Sequence, residues 1–268
     1  MSQTRIARLF ERTRAERRAA FIPYLTAGDP APGRTPALVE AMERGGADLI
    51  ELGVPFSDPL ADGPVIQRAA MRALDAGTTL AGVLDIARQI RTRSEIPLLL
   101  FTYLNPVLRY GVEKLAADAK SAGIDGCLLT DLSVEEAERI VSVMHASGLD
   151  TVFLAAPTST ARRLELVARY SSGFVYLVSR TGVTGERDSL SSSAAPLVDS
   201  MRKATKLPLA VGFGISTPAQ VEAVSRLADG VVVGSALVRV IEQSAGSASL
   251  EANLESATRE LRSAIRAK

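Results

Sequence analysis

The chain has 268 residues, 47% of them apolar, with 31 lysines and arginines against 30 aspartates and glutamates and a formal net charge of +1. So even a balance gives no electrostatic footprint for nucleic acid or an acidic membrane. A lone cysteine, Cys127, excludes an intrachain disulfide and a multi-cysteine metal site, and no apolar run reaches the roughly 18 residues of a membrane span. A soluble globular protein resident in the cytoplasm is the expectation.

The N-terminal run MSQTRIARLFERTRAERRAA is rich in arginine, as transit peptides are. Glu11 and Glu16 interrupt its basic character, however, and Ile6, Leu9 and Phe10 follow helical spacing. The run therefore reads as an amphipathic helix over about 2–17 that covers one end of the domain. Short, mostly apolar runs then recur: Phe21–Leu25, Leu49–Gly53, Leu98–Phe101, Gly126–Leu129, Thr151–Ala155, Phe174–Val178, Leu209–Gly212 and Gly230–Val233. These suit parallel strands buried on both faces. Helical patterns separate them, among them Arg34–Arg44, Val112–Ala122, Val134–Ala146, Ala161–Tyr170 and Pro218–Leu227. Before the last of these, Ser216 or Thr217 can serve as N-cap, with Pro218 at the first helical position.

Eight strands alternating with helices specify a parallel α/β fold. Pattern alone does not separate a closed barrel from an open doubly wound sheet. A barrel is favoured by the count of eight, by a length close to the roughly 250 residues such a barrel needs, and by where the glycine-rich turns fall. A dinucleotide-binding sheet would carry G-x-G-x-x-G after its first strand, where this chain reads TAGDP. We therefore expect a single (β/α)8 TIM barrel over about 20–268, one domain with the extra N-terminal helix.

Histidine chemistry is poorly provided for. His145, in VSVMHASGL, falls late in a helical pattern, away from the strand-end loops where a Ser-His-Asp triad or a zinc aldolase site would need it. Lys114, Lys120, Lys203, Lys206 and Lys268 lie in helical patterns, in connections before strands or at the terminus, so none is placed to form a Schiff base at a strand end. Carboxylates remain. Glu51 interrupts the apolar run ADLIELGVP, and a buried carboxyl must find a partner, change its protonation state or face a cavity. It could also be a core carboxylate paired with an arginine, or could cap the barrel floor. Asp62, with Asp58 nearby, follows in PFSDPLADGP, although Asp62–Gly63 is also a common turn dipeptide. A strand carboxyl and a loop carboxyl in different surroundings can divide acid and base roles.

Phosphate-type signals come late in the chain. LAVGFGISTPAQ puts Gly212 and Gly214 between a strand and a helix, and DGVVVGSALV does the same with Gly234 and Ser235. Glycine turns let backbone N–H groups approach an anion, and helix N-termini add a positive dipole. Loops after the seventh and eighth strands are a recurrent barrel phosphate site, although each turn alone could be tight-turn chemistry. VSRTGVTGERDSLSSS, after the sixth strand, reads either as an ordinary surface loop or as a lid hinged at Gly182 and Gly185, with Gly185 reaching a phosphate and Thr184 near the reacting groups.

Six segments, FIPYLTAGDP, GADLIELGVPFSDPLADGPVIQ, FTYLNPVLRYG, VYLVSRTGVTG, VGFGIS and GVVVGSALV, resemble in order the motifs of the tryptophan synthase alpha chain family. They run from the first strand to the eighth. The resemblance implies retro-aldol cleavage of indole-3-glycerol phosphate to indole and glyceraldehyde 3-phosphate, without a metal or cofactor in this chain. It makes Glu51 the general acid–base and Asp62 the carboxylate that stabilises charge at the indole nitrogen. Phe21, Leu100, Leu128, Tyr176, Phe213 and Val232 match or lie closest to the indole lining, with Tyr103 a weaker match. Gly185, Gly214, Gly234 and Ser235 match the phosphate positions. The chain departs from the family at LLTDLSVEE, where Thr130 and Ser133 replace common prolines and leave that loop freer in φ.

Membership also implies a partner, a PLP-dependent beta chain that receives indole and joins it to serine. The beta chain would pack on the face bearing Pro55–Leu60 and the loop after the sixth strand, giving an αββα assembly. Two rivals share the fold: a free-standing indole-releasing lyase and a catalytically silent phosphosugar-binding subunit. A sugar-phosphate isomerase would fit the glycine turns but leaves the second-strand segment unexplained.

Overall fold

The computed structural model describes residues 4–178 and 190–267. The short apolar runs become nine strands: β1 (Ala20–Thr26), β2 (Ile50–Gly53), β3 (Leu98–Thr102), β4 (Gly126–Leu129), β5 (Asp150–Val152), β6 (Leu154–Ala155), β7 (Val175–Val178), β8 (Leu209–Gly212) and β9 (Gly230–Val233). All pair in parallel, in the order β5-β4-β3-β2-β1-β9-β8-β7-β6. The two ends of that order are halves of one stave interrupted at Phe153, so the sheet is a nearly closed barrel with helices around it. This is the expected TIM-barrel architecture, and strand limits agree with the sequence pattern to within one or two residues.

Helices follow nearly every strand. Ala161–Tyr170 forms over the span predicted, and the Val112 pattern is helical to Ser121. The Val134 pattern divides into a 3-10 turn, Val134–Glu136, and a helix, Glu138–Ala146. Thr217, not Ser216, caps the helix Pro218–Ser225, in a reciprocal capping box with Gln220.

Strand side chains alternate between two apolar layers, as period-two geometry requires. One layer lies between sheet and helices and holds Phe21, Leu25, Ile50, Leu52, Leu98 and Leu100 together with helical residues such as Leu38 and Met42. The other fills the barrel and holds Ile22, Tyr24, Leu99, Phe101, Leu128 and Tyr176. The N-terminal helix, Arg5–Ala15, adds Ile6, Leu9 and Phe10 to this inner layer, closing the floor as its spacing suggests. Aspartates ahead of three strands tie that floor together. Asp48, Asp125 and Asp229 accept backbone N–H bonds from Phe21, Leu98 and Leu209 at 2.9, 2.9 and 2.8 Å. Arg18, Arg91 and Arg202 pair with them in turn.

Candidate active site

At the opposite pole, β2 carries Glu51 into the barrel, in register with Tyr24 on β1 and Leu99 on β3. Leu52 must then face the helices, so strand parity alone turns the carboxyl inward. Glu51 is 1% exposed, and its Oε1 has no hydrogen-bond partner among the described residues. No arginine among them pairs with it, so none of the described residues supplies the core ion pair that the sequence left open. Burial without a partner favours the neutral form and pushes its pKa well above the usual carboxyl value. Burial thus favours the protonated carboxyl at this point of the barrel interior.

Asp62 lies in the loop between β2 and the helix Pro64–Asp75. Burial raises its pKa to about 6, opposed by a hydrogen bond that Tyr103 Oη donates to Oδ2 at 2.9 Å. The same hydroxyl accepts from the Ala61 N–H at 3.2 Å, and the Tyr103 ring packs on Phe56 with centroids 5.1 Å apart. Tyr103 thus anchors the loop that presents Asp62, a role its sequence position did not announce. Asp58 accepts from Ser57 Oγ at 2.6 Å in an exposed turn, a local bond that leaves it a turn residue.

Two tyrosines lie within electrostatic reach of both carboxyls. Burial and the charges of both Glu51 and Asp62 raise the pKa of Tyr24 and of Tyr176, which puts all four groups in one electrostatic neighbourhood. Each tyrosine needs a glycine on the next strand. A Cβ on Gly53 would lie 2.2 Å from Tyr24 Oη, and one on Gly212 would lie 2.1 Å from Tyr176 Oη.

Of the six apolar candidates, Leu128, Tyr176 and Val232 lie in the barrel interior, and Phe213 packs against them. The rings of Tyr176 and Phe213 meet edge to face at 5.9 Å. Phe21 and Leu100 are corrections. Both are fully buried in the outer layer, under the helices. Their inward-facing neighbours nearer the strands' C-terminal ends are Tyr24 and Phe101, whose rings meet edge to face at 5.3 Å. The signal was available in principle, because barrel sites gather at C-terminal strand ends and both residues fall later in their strands.

The two late turns differ in their electrostatics. Phe213 and Gly214 both take left-handed backbone, with φ of 71° and 81°, a sharp turn of the kind that gathers N–H groups. The helix behind it, Pro218–Ser225, is already capped by its own Thr217 and Gln220. The helix Ser235–Ser244 is different: Gly234 stands at its N-cap and no side chain caps it. With no side-chain cap among the described residues, its N-terminus and dipole suit an anion, and Gly234 sits against Tyr24 and Ile66. Gly214 and Ser235 are exposed at the mouth. Gly182, Thr184 and Gly185 lie outside the described residues.

His145 is far from this mouth. Its Nε2 meets Thr151 Oγ1 at 2.9 Å and Ser172 Oγ at 3.2 Å, at the start of β5. Thr130 N–H donates to Thr102 O at 2.9 Å, and Asp131 Oδ1 accepts from Leu104 N–H at 2.6 Å, so the unusual β4 loop is joined to the end of β3. Among the described residues, no group of three or more His, Cys, Asp or Glu could hold a metal ion, and no helix is long and apolar enough to cross a membrane.

A parallel barrel with a buried and a half-buried carboxyl and two glycine turns at one mouth defines a candidate barrel enzyme. Known proteins agree. A family model described as Tryptophan synthase alpha chain matches residues 10–266. Two tryptophan synthase alpha chains are close in sequence. That of Solibacter usitatus is 72% identical over 259 residues, covering 97% of each chain, and that of Geobacter sulfurreducens is 50% identical over 240 residues, covering 90% of this chain and 91% of that one. Tryptophan synthase subunit alpha from Legionella pneumophila superposes with a TM-score of 0.90 at 37% identity, covering 98% of both chains. A chain of Mycobacterium tuberculosis tryptophan synthase does so with 0.90 at 37%, covering 99% of both. The chain belongs to the tryptophan synthase alpha chain family, the subunit that cleaves indole-3-glycerol phosphate in tryptophan biosynthesis. Alpha chains partner with a beta chain and do not themselves carry PLP.

Proposed function

We propose that Glu51 is the general acid–base of this cleavage, acting within a single-domain chain, and that Asp62 stabilises the cationic ring. Protonated Glu51 donates its proton to indole C3, giving an indolenine cation. The bond from C3 to the adjacent glycerol carbon then breaks, its electron pair restoring the aromatic ring. As that carbon becomes the aldehyde of glyceraldehyde 3-phosphate, its hydroxyl proton returns to the Glu51 carboxylate. No net proton is consumed. Asp62, ionised, lies toward the ring nitrogen, where a carboxylate in a water-poor site stabilises developing charge. Tyr24, Phe101, Leu128, Tyr176, Phe213 and Val232 form the slot for the ring. Gly214, Gly234 and Ser235 hold the phosphate through backbone N–H groups, with Gly185 and Thr184, which lie outside the described residues, as the further family-matched binding residues.

The observation that carries this reading is the buried Glu51 carboxyl, whose Oε1 has no partner among the described residues. Desolvation with no compensating bond costs stability, and a carboxyl kept protonated near neutral pH is what a proton donor to carbon needs. Glu51→Gln keeps shape and burial but cannot exchange the proton. It is expected to fold normally and lose nearly all turnover, about 10²–10⁴-fold at least. A folded Gln variant with near-normal indole release would exclude Glu51 from the role.

The partner is a PLP-dependent beta chain in an αββα assembly in the cytoplasm, seated on the face bearing Pro55–Leu60. Leu60, 94% exposed beside the Asp62 loop, supports that placement. The lysines support placing PLP in the beta chain, since Lys114 and Lys120 ride the helix Val112–Ser121 and Lys203 and Lys206 precede β8, away from the strand ends.

A further inference from the structure

The arginine-rich N-terminal run takes no part in the chemistry above, yet it lines a cavity of about 330 Å³ in the barrel floor, bounded by Phe10, Thr13, Arg14, Arg17, Arg18, Pro208 and Asp229. Pro208 and Asp229 stand just before β8 and β9, whereas Gly214 and Ser235 follow them. With four-residue strands rising about 3.3 Å per residue, the cavity lies roughly 15–20 Å from the mouth. It is a separate place.

Its walls are of two kinds. Phe10, buried and set against Phe174 with ring centroids 5.6 Å apart, and Pro208 provide an apolar floor. Around it the charges are unevenly matched. Arg18 is committed to Asp48 and Glu16 at 2.6 and 2.5 Å, and Asp229 is taken by Arg202 and the Leu209 N–H. Arg14 and Arg17 have no side-chain acceptor among the described residues. Arg17 also holds a φ of 52°, just past the end of the helix Arg5–Ala15, where glycine is the usual occupant. Two unpaired guanidiniums thus overhang a ring-sized apolar floor, in a chain whose charges otherwise nearly cancel.

We propose that this floor cavity is a second binding site, for a small aromatic anion whose ring lies on Phe10 and Pro208 and whose carboxylate is held by Arg14 and Arg17. Its volume, at the lower end of small-molecule sites, fits one or two rings. Guanidinium forks match carboxylates in a bidentate geometry that ammonium groups do not. Because the site shares the inner layer with the N-terminal helix, an occupant would also fasten that helix to the floor.

The test is fluorescence anisotropy of 2-naphthoate titrated with the full chain, repeated with Arg14→Gln/Arg17→Gln and with excess glycerol 3-phosphate to fill the mouth. Both arginines are exposed, so the double variant should melt like the parent. The expected result is saturable binding of one probe per chain, weakened at least tenfold in the double variant, weakened by salt and untouched by glycerol 3-phosphate. Three results would overturn the proposal: no saturable binding, equal binding by the double variant, or displacement by glycerol 3-phosphate. The last would return the probe to the mouth and leave the catalytic reading standing.

Discussion

Glu51 and Asp62 are both pushed upward by burial, but the consequences differ in sign. Asp62 must be ionised to stabilise a cation, and its pKa stands at about 6. The ratio kcat/KM, which reports the free enzyme, should therefore fall as pH drops through about 6. Tyr103 donates to Asp62 and holds that value down. Tyr103→Phe should move the acidic limb to higher pH, and a limb that stays put or moves lower would remove Tyr103 from this role. For Glu51 the linkage concerns stability. Its carboxyl titrates near 4.5 when unfolded and well above that in the fold, so the native chain loses stability as pH rises from the unfolded value through the folded one. Glu51→Gln has no such loss. Thermal melts from about pH 5 to 9 should show the Gln variant gaining on the parent as pH rises, and a constant gap would mean the carboxyl is not desolvated as described. Glu51 stood out in the sequence because it broke an apolar strand, whereas Asp62 suited its turn and drew notice only as the loop carboxyl that follows that strand. The facing of Phe21 and Leu100 was not legible. A strand buried on both faces carries no polar–apolar alternation, so nothing in FIPYLT or LLLFT fixes parity until Glu51 on the neighbouring strand is known to point inward.

Helices and strands were easier to read than their faces, since length and period survive without tertiary knowledge. The helix Arg5–Ala15 illustrates this. The spacing of Ile6, Leu9 and Phe10 predicted an amphipathic helix at one end of the domain, and those three side chains do enter the inner layer. What the spacing could not say is that Ile6 becomes fully buried, as deep as the strand residues. Ile6→Ala should cost about 2–5 kcal/mol, read as a lower urea midpoint with an unchanged slope. A cost under about 0.5 kcal/mol, ordinary for the surface, would show that the helix merely rests on the floor. The late turns offer a matching lesson. Their glycines were legible as a phosphate motif, but only geometry shows that one helix spends its N-terminus on Thr217 and Gln220 while the other, Ser235–Ser244, leaves its own open.

Across the whole molecule, one barrel serves two poles with different tasks. The floor is tied by aspartate–arginine pairs and covered by the N-terminal helix, with a cavity beside that helix, and the mouth keeps a buried acid with no partner among the described residues, a glycine turn and exposed apolar residues such as Leu60. A barrel suits this division because strand ends at one pole can vary while the other holds the fold together. The most direct test of the account is to supply indole-3-glycerol phosphate to the purified chain, alone and with a tryptophan synthase beta chain, and to follow indole and glyceraldehyde 3-phosphate. The account predicts both products in equal amounts from the chain alone, released faster once the beta chain is present. No indole in either mixture, from protein that is folded and binds the substrate, would contradict it.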